Sequence, residues 1–198
     1  MGRLQSIAEV ISRFGAIVGG SMLLIASLVI CVDITLRYTI SKTLGGADEL
    51  SGYALAIASA WGFTAALLNR SHIRIDTLYV RVGTRFRAVL DLLSLITFTG
   101  FIALITWHAW GVVRQSWASG SRSLSELETP VIVPQGLWLA GLVFFVMVAL
   151  LLLVRSLHAL ATGDLPKLFE LIGSKSAVAE AEEEVRATER AMAQGPQQ

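Results

Sequence analysis

Residues 129–154 read TPVIVPQGLWLAGLVFFVMVALLLLV, 26 consecutive residues without an acidic or basic side chain. The hydrocarbon core of a bilayer is about 30 Å thick, and an α-helix needs about 20 apolar residues to cross it. This stretch is therefore predicted to be a transmembrane helix. Three more such runs lie upstream, at 15–32, 50–69 and 92–113, with 18, 20 and 22 residues. The sequence thus predicts an all-α membrane protein with four transmembrane helices.

The composition agrees with this prediction. Of the 198 residues, 54% are hydrophobic and only 16% are charged, and the mean hydropathy is +0.65. A soluble domain of this size needs more charge to cover its surface. The single cysteine, Cys31, lies inside an apolar run, which excludes a disulfide framework and a cysteine-based metal site. Because three apolar runs follow the first, we expect that run to be a retained helix and not a cleaved signal peptide.

The distribution of basic residues predicts the orientation. Four spans place both termini and the loop at 70–91 on one side, and these segments carry 12 of the 16 lysines and arginines. The two loops on the other side carry the remaining 4. Cytoplasmic loops are enriched in Lys and Arg, so both termini are predicted to be cytoplasmic.

The predicted organisation follows from these spans. In chain order it consists of an amphipathic interfacial segment at 1–13, a first transmembrane helix at 14–37, a periplasmic loop at 38–49, a second helix at 50–69, a basic cytoplasmic loop or helix at 70–90, a third helix at 91–113, a periplasmic loop at 114–130, a fourth helix at 131–155 and a cytoplasmic tail at 156–198. The tail is rich in alanine and glutamate and is expected to form an acidic solvated helix. No internal repeat is evident, which argues against a self-contained carrier built from inverted halves.

Charged residues near the ends of the spans are candidate contact sites, because placing them in hydrocarbon is costly. Asp33 and Arg37 are four residues apart at the end of the first span, so they share a helix face and can neutralise each other. A local pair and a contact with another subunit are both compatible with this spacing. Asp48 and Glu49 precede the second span, where the exposed amides of a helix N-terminus favour negative charge. Glu49 also lies at a depth where a partner could supply a cation.

Small residues recur at four-residue spacing on the first two spans. Side chains of this kind let membrane helices approach each other closely, whether the neighbour belongs to the same chain or to another subunit. The members are Gly52, Ala56 and Ala60 in one ladder, Ala58, Gly62 and Ala66 in a second, and Gly15 and Gly19 at the start of the first span.

The sequence carries little that points to catalysis or to a cofactor. His108 lies near the outer membrane surface, whereas His72 and His158 lie near the inner one, so ligation of haem or metal between spans is disfavoured. Between Trp107 and Trp110, His108 is instead expected to belong to an interfacial aromatic cluster. The sequence shows neither a glycine-rich phosphate loop nor a nucleophile motif, so we expect no enzyme, no cofactor and no nucleic-acid partner. The arginines of the inner loop suit anionic lipid headgroups.

Four motifs in order resemble the small membrane subunit, the DctQ-like family, of tripartite ATP-independent periplasmic (TRAP) transporters. The resemblance covers residues 14–160. The motifs are Leu36-Arg37-Tyr38 at the end of the first span, Gly46-Ala47-Asp48-Glu49-Leu50 at the start of the second, His72-Ile73-Arg74-Ile75-Asp76 after it, and Ser119-Gly120-Ser121-Arg122-Ser123 with Thr129-Pro130 and Pro134-Gln135-Gly136 before the last span.

The resemblance implies a function in the bacterial inner membrane. Such a subunit pairs with a larger, elevator-like membrane subunit that holds the substrate and sodium sites, while a periplasmic binding protein delivers an organic acid such as a dicarboxylate. The small subunit is expected to act as a fixed scaffold in this ion-gradient-driven import. Its outer loops are expected to form part of the docking surface, and Arg37, Glu49, His72 and Asp76 are its candidate intersubunit or interfacial contacts.

Two other functions stay open. A small homo-oligomeric carrier or channel would need a polar stripe along one span, and the pairs Ser21 with Ser27 and Thr97 with Thr99 do not build one. A membrane redox subunit would need the haem ligands that the histidine positions disfavour.

Overall fold

A computed structural model describes residues 3–69 and 83–173, which form five helices. No strand occurs in this part of the chain, where the only bridge of β type joins Arg122 to Pro130. The helices are α1 (Arg3–Ile40), α2 (Ala47–Leu68), α3 (Thr84–Ser119), α4 (Ile132–Ala161) and α5 (Leu165–Ile172). Helices α1 to α4 are each long and apolar enough to cross a membrane. The prediction of an all-α membrane protein with four transmembrane helices is thus confirmed.

Helix α1 extends well beyond the apolar run that it contains. Its 38 residues correspond to about 57 Å at 1.5 Å per residue. The amphipathic segment at 1–13 and the first span are continuous from Arg3 onward, and Gly15, Gly19 and Gly20 lie within this helix without ending it. Ala8 and Ser12 are buried, and Arg155 of α4 donates a hydrogen bond to the side chain of Gln5. The first turns of α1 therefore pack against the rest of the protein.

The four long helices form an open layer and do not close into a bundle. α1 packs on α2, α2 packs on α4, and α4 packs on α3. Among the described residues, α1 and α3 make no extensive contact, so they form the two edges of the layer. We call the end with residues 41–46 and 120–131 the loop end. The opposite end, with the start of α1 and the close of α4, is the terminal end.

Aromatic side chains hold the centre of the layer together. Phe145 of α4 is fully buried and meets Phe98 of α3 edge to face, with ring centroids 5.4 Å apart. Trp61 of α2 stacks on Phe144 at 5.8 Å and donates its Nε1 proton to the carbonyl oxygen of Leu137 over 3.1 Å. Lipid is as apolar as these side chains, so close packing and interhelical hydrogen bonds hold membrane helices together.

The short helix α5 covers the terminal end of α3 and α4. The Asp164 side chain caps its start by accepting from the amide of Lys167 at 3.2 Å, and Pro166 occupies its first turn. Leu168 and Ile172 are buried against the two long helices, and the chain between α4 and α5 turns through Gly163. The sequence predicts only a cytoplasmic tail from residue 156 onward and gives no sign that this segment packs on the long helices.

Candidate functional site

The glycines at the start of the first span are packing sites within the chain. A Cβ atom added to Gly15 would lie 2.8 Å from Cε3 of Trp61. One added to Gly19 would lie 2.8 Å from Cα of Ala58, a backbone atom of α2. Both glycines thus allow α1 to approach α2 more closely than any larger residue would.

The small residues of α2 separate into an inner and an outer set. Ala60 is buried against Gly141 of α4, where an added Cβ would lie 2.9 Å from Cβ of Ala60. Ala56 is half-buried. At Gly52 and Gly62 an added Cβ would meet no atom within 4 Å. The ladder therefore packs on α4 at Ala60, whereas Gly52 and Gly62 make no close packing contact with another described helix.

Asp33 ties the end of α1 to the loop that follows. Its Oδ1 accepts from the hydroxyl of Thr43 at 2.7 Å and from the amide of Leu44 at 2.6 Å. Its Oδ2 lies 2.7 Å from Nε of Arg37, so the predicted pair forms. The guanidinium of Arg37 also lies 3.9 Å from Asp48 at the start of α2. The pair therefore fixes the hairpin between α1 and α2 from within the chain.

Glu49 joins the two loops of the loop end. Its Oε2 accepts hydrogen bonds from the hydroxyls of Ser123 and Ser125, which belong to the loop between α3 and α4. The side chains of Tyr53 and Thr129 also face this carboxylate, although its buried Oε1 makes no hydrogen bond of ordinary geometry. The sequence predicts Glu49 directly before the second span, and the structure places it in the first turn of α2. Its serine partners have no signal in the sequence.

Two glycines complete the contact between the loops. Gly45 and Gly46 have φ angles of 64° and 98°, a backbone conformation that side chains with a Cβ rarely adopt. A Cβ at Gly45 would lie 2.5 Å from Oε2 of Glu126, and one at Gly46 would lie 2.5 Å from Cδ1 of Leu127. We call this glycine pair, together with Glu49, Ser123 and Ser125, the loop clasp.

The second loop has a defined backbone of its own. The amide of Ser123 donates to the carbonyl of Thr129 at 2.9 Å, and that of Val131 donates to Ser121 at 3.2 Å. At the tip between these bonds, Leu124 is fully exposed. Hydrogen bonds thus hold both loops together as one surface at the loop end.

Of the other predicted contact residues, His72 and Asp76 lie outside the described residues. His108 and His158 are both exposed, and within residues 3–69 and 83–173 no three potential metal ligands come together. Trp107 is exposed on α3.

Comparison with known proteins then identifies the family. The family profile described as "Tripartite ATP-independent periplasmic transporters, DctQ component" matches residues 26–159, more than half of the chain. The chain belongs to the DctQ family. No match was found among curated proteins or among solved structures.

Membership of the DctQ family gives the location and the general function of this chain. It is a multi-pass protein of the bacterial inner membrane and a transport component, and its family is not an enzyme family. DctQ components work with a large TRAP membrane subunit and a periplasmic binding protein. The matched region begins in the middle of α1 and ends within α4, so the start of α1 and all of α5 lie beyond it.

Proposed function

We propose that this DctQ chain is the fixed scaffold subunit of a TRAP-type importer of an organic acid, such as a dicarboxylate. The large elevator-type subunit carries the solute, and an ion gradient drives the uptake. The observation that carries this proposal is the open layer, in which α1 and α3 form opposite edges and four helices surround no common interior. A subunit of this shape can support a moving partner. A chain that itself conducts solute needs its helices arranged around a solute pathway.

The placement of charge supports the same function. Asp33 and Arg37 lie at the loop end of α1 and are bonded to each other, and Glu49 is held by serine hydroxyls at the start of α2. Charged residues that serve a transport path lie within the bundle near the middle of the membrane. Asp33, Arg37 and Glu49 instead hold the two loops of the loop end in place.

The loop clasp suits a docking surface for a periplasmic binding protein. In the orientation predicted from the basic residues, both termini are cytoplasmic and the loop end faces the periplasm. Because hydrogen bonds already hold this surface in one conformation, it loses little conformational entropy when a partner binds. The exposed Leu124 lies at the tip of that surface.

Three measurements test the proposal. The large subunit should co-purify with a tagged copy of this chain, and deletion of the chain should abolish accumulation of the organic acid in cells that retain the other two components. Ionophores that collapse the ion gradient should stop uptake in vesicles. Unchanged uptake in the deletion strain, or a chain that purifies only as a homo-oligomer, would contradict the scaffold function.

A further inference from the structure

A groove with side chains of both charges lies between α1 and α2 at the terminal end. It has a volume of about 590 Å³, and we call it the terminal groove. Its polar lining includes Glu9, Ser12 and Arg13 of α1, and its apolar lining includes Ile17 of α1 and Ala65 of α2. The α1 wall from Glu9 to Ile17 rises by about 12 Å, at 1.5 Å per residue.

The terminal groove crosses the boundary of the membrane. Glu9 and Arg13 precede the uncharged run that begins at residue 15, whereas Ile17 lies within that run. The charged lining is therefore level with the lipid headgroups, and Ile17 is level with the acyl chains. From the water inward, α1 thus presents a carboxylate, then a guanidinium and then apolar side chains to the groove.

The two charges of the groove do not neutralise each other. Glu9 and Arg13 are four residues apart, a spacing at which oppositely charged side chains of a helix can pair. Within residues 3–69 and 83–173, however, neither belongs to an ion pair, and the Glu9 carboxylate accepts from the side-chain amide of Gln5 at 3.2 Å. Between them, Ser12 is 3% exposed and donates its proton to the backbone carbonyl of Glu9 at 3.0 Å. Its oxygen can therefore still accept a hydrogen bond.

Two other grooves on the described helices lack this combination. The groove of about 370 Å³ between α1 and α2 near the loop end is lined by one charged residue, Asp48, which already lies 3.9 Å from Arg37. The groove of about 550 Å³ along α3 is lined by leucine, phenylalanine, serine and threonine side chains. Both signs of charge, a buried hydroxyl oxygen and an apolar floor meet at the terminal groove.

We infer that the terminal groove binds a zwitterionic phospholipid with a primary ammonium in its headgroup, namely phosphatidylethanolamine. In this lipid the ammonium is outermost, the phosphate follows and the acyl chains are innermost, which is the order that complements α1. The ammonium lies at Glu9, the phosphate lies at Arg13, and an acyl chain lies along Ile17. The guanidinium suits this position because its N–H groups can donate to two phosphate oxygens at once.

The charges of the groove distinguish this lipid from other phospholipids. An anionic headgroup such as phosphatidylglycerol makes the contact with Arg13 but leaves the carboxylate of Glu9 without a cation. A choline headgroup carries its positive charge on a trimethylated nitrogen, which has no proton to donate to Glu9. The family profile begins at residue 26, so the charged wall of the groove lies outside the region shared with the family. The inference needs the chain to lie in a membrane but does not rest on the scaffold function.

Native mass spectrometry of the purified full-length chain tests this inference. The lipids are phosphatidylethanolamine, phosphatidylcholine and phosphatidylglycerol with identical acyl chains, so that only the headgroup differs. The chain should bind one phosphatidylethanolamine about tenfold more tightly than either of the others, equivalent to about 1.4 kcal/mol. Arg13→Gln should weaken this binding by about tenfold. Arg114→Gln, which removes an exposed arginine near the loop end of α3, should leave it unchanged.

A second variant tests the ammonium contact by itself. Glu9→Gln should bind phosphatidylethanolamine and phosphatidylcholine equally. Because this readout is a ratio of two lipids on one variant, it does not depend on how stable the variant is. Equal binding of all three lipids by the wild type, tighter binding of phosphatidylglycerol, or no bound lipid would overturn the inference. An equal loss in Arg13→Gln and Arg114→Gln, or an unchanged lipid preference in Glu9→Gln, would overturn it as well.

Discussion

The close contact between α1 and α2 predicts opposite outcomes for two adjacent glycines. In Gly19→Ala the new Cβ would lie 2.8 Å from Cα of Ala58, whereas in Gly20→Ala it would meet nothing within 4 Å. An ordinary carbon–carbon contact is about 3.5–4.0 Å, so the two atoms must move apart by about 0.7–1.2 Å. Because the opposing atom belongs to the backbone, no side-chain rotation can relieve the overlap. Overpacking of this kind costs about 1–3 kcal/mol.

Comparing the two variants removes the effect of helix propensity. Alanine is better than glycine in a helix by about 0.8–1.0 kcal/mol, and both substitutions gain this amount. Gly20→Ala should therefore be more stable than the wild type. Gly19→Ala should be less stable than Gly20→Ala by about 1–3 kcal/mol, or about 2–4 °C in melting temperature per kcal/mol.

Thermal unfolding of the purified chain in one detergent, with both variants measured side by side, provides the assay. Equal melting temperatures for the two variants would refute the assigned contact between Gly19 and Ala58. A lower melting temperature for Gly20→Ala than for Gly19→Ala would refute it as well, since it would place the crowded side of α1 at residue 20.

Three further substitutions test other contacts. Glu49→Ala removes the acceptor that holds both serines of the loop clasp, so limited proteolysis should cut the loop at 120–131 faster than in wild type, and equal cleavage would contradict the clasp. Trp61→Phe keeps an aromatic ring but removes the hydrogen bond to Leu137 and the indole atoms beside Gly141, so the chain should lose at least about 0.5–1.5 kcal/mol of stability, measured as a lower melting temperature. Leu168→Ala should weaken the packing of α5 by about 2–5 kcal/mol and speed amide exchange in that helix, whereas the exposed Lys167→Ala should not.

The sequence predicted the features that depend on local spacing. The four transmembrane helices follow from uncharged runs long enough to cross a bilayer. The pair of Asp33 with Arg37 follows from the four-residue period of a helix. Both signals lie within a single helix, and neither depends on where the other helices are placed.

The order of the helices could not be predicted in this way. Spacing shows which residues share a face, but it does not show which helix that face meets. Gly19 packs on α2 and Ala60 packs on α4, whereas Gly52 packs on neither. Gly141 was missed because no small residue lies four positions before or after it, which is the spacing that marks a ladder.

The loop clasp also lies beyond local spacing. Glu49 and its partner Ser123 are 74 residues apart, and serines in a loop are usually interpreted as turn residues. Only the arrangement of α2 beside α4 brings the two loops together. The glycine pair itself indicates the positive φ angles of Gly45 and Gly46. No local feature of the sequence predicts that the side chains of Glu126 and Leu127 lie against them.

Exposure to lipid changes how the edges of this layer should be interpreted. In water, an apolar edge such as α1 would itself indicate a covering partner. In a bilayer, exposed leucines and isoleucines are already in an apolar environment, so their exposure carries no such meaning. The informative groups are instead charged ones, which lipid accommodates badly. At the loop end, Asp33 is bonded to Arg37, and Glu49 accepts from the hydroxyls of Ser123 and Ser125. The chain itself therefore satisfies these charged groups, and they give no sign of a missing partner charge.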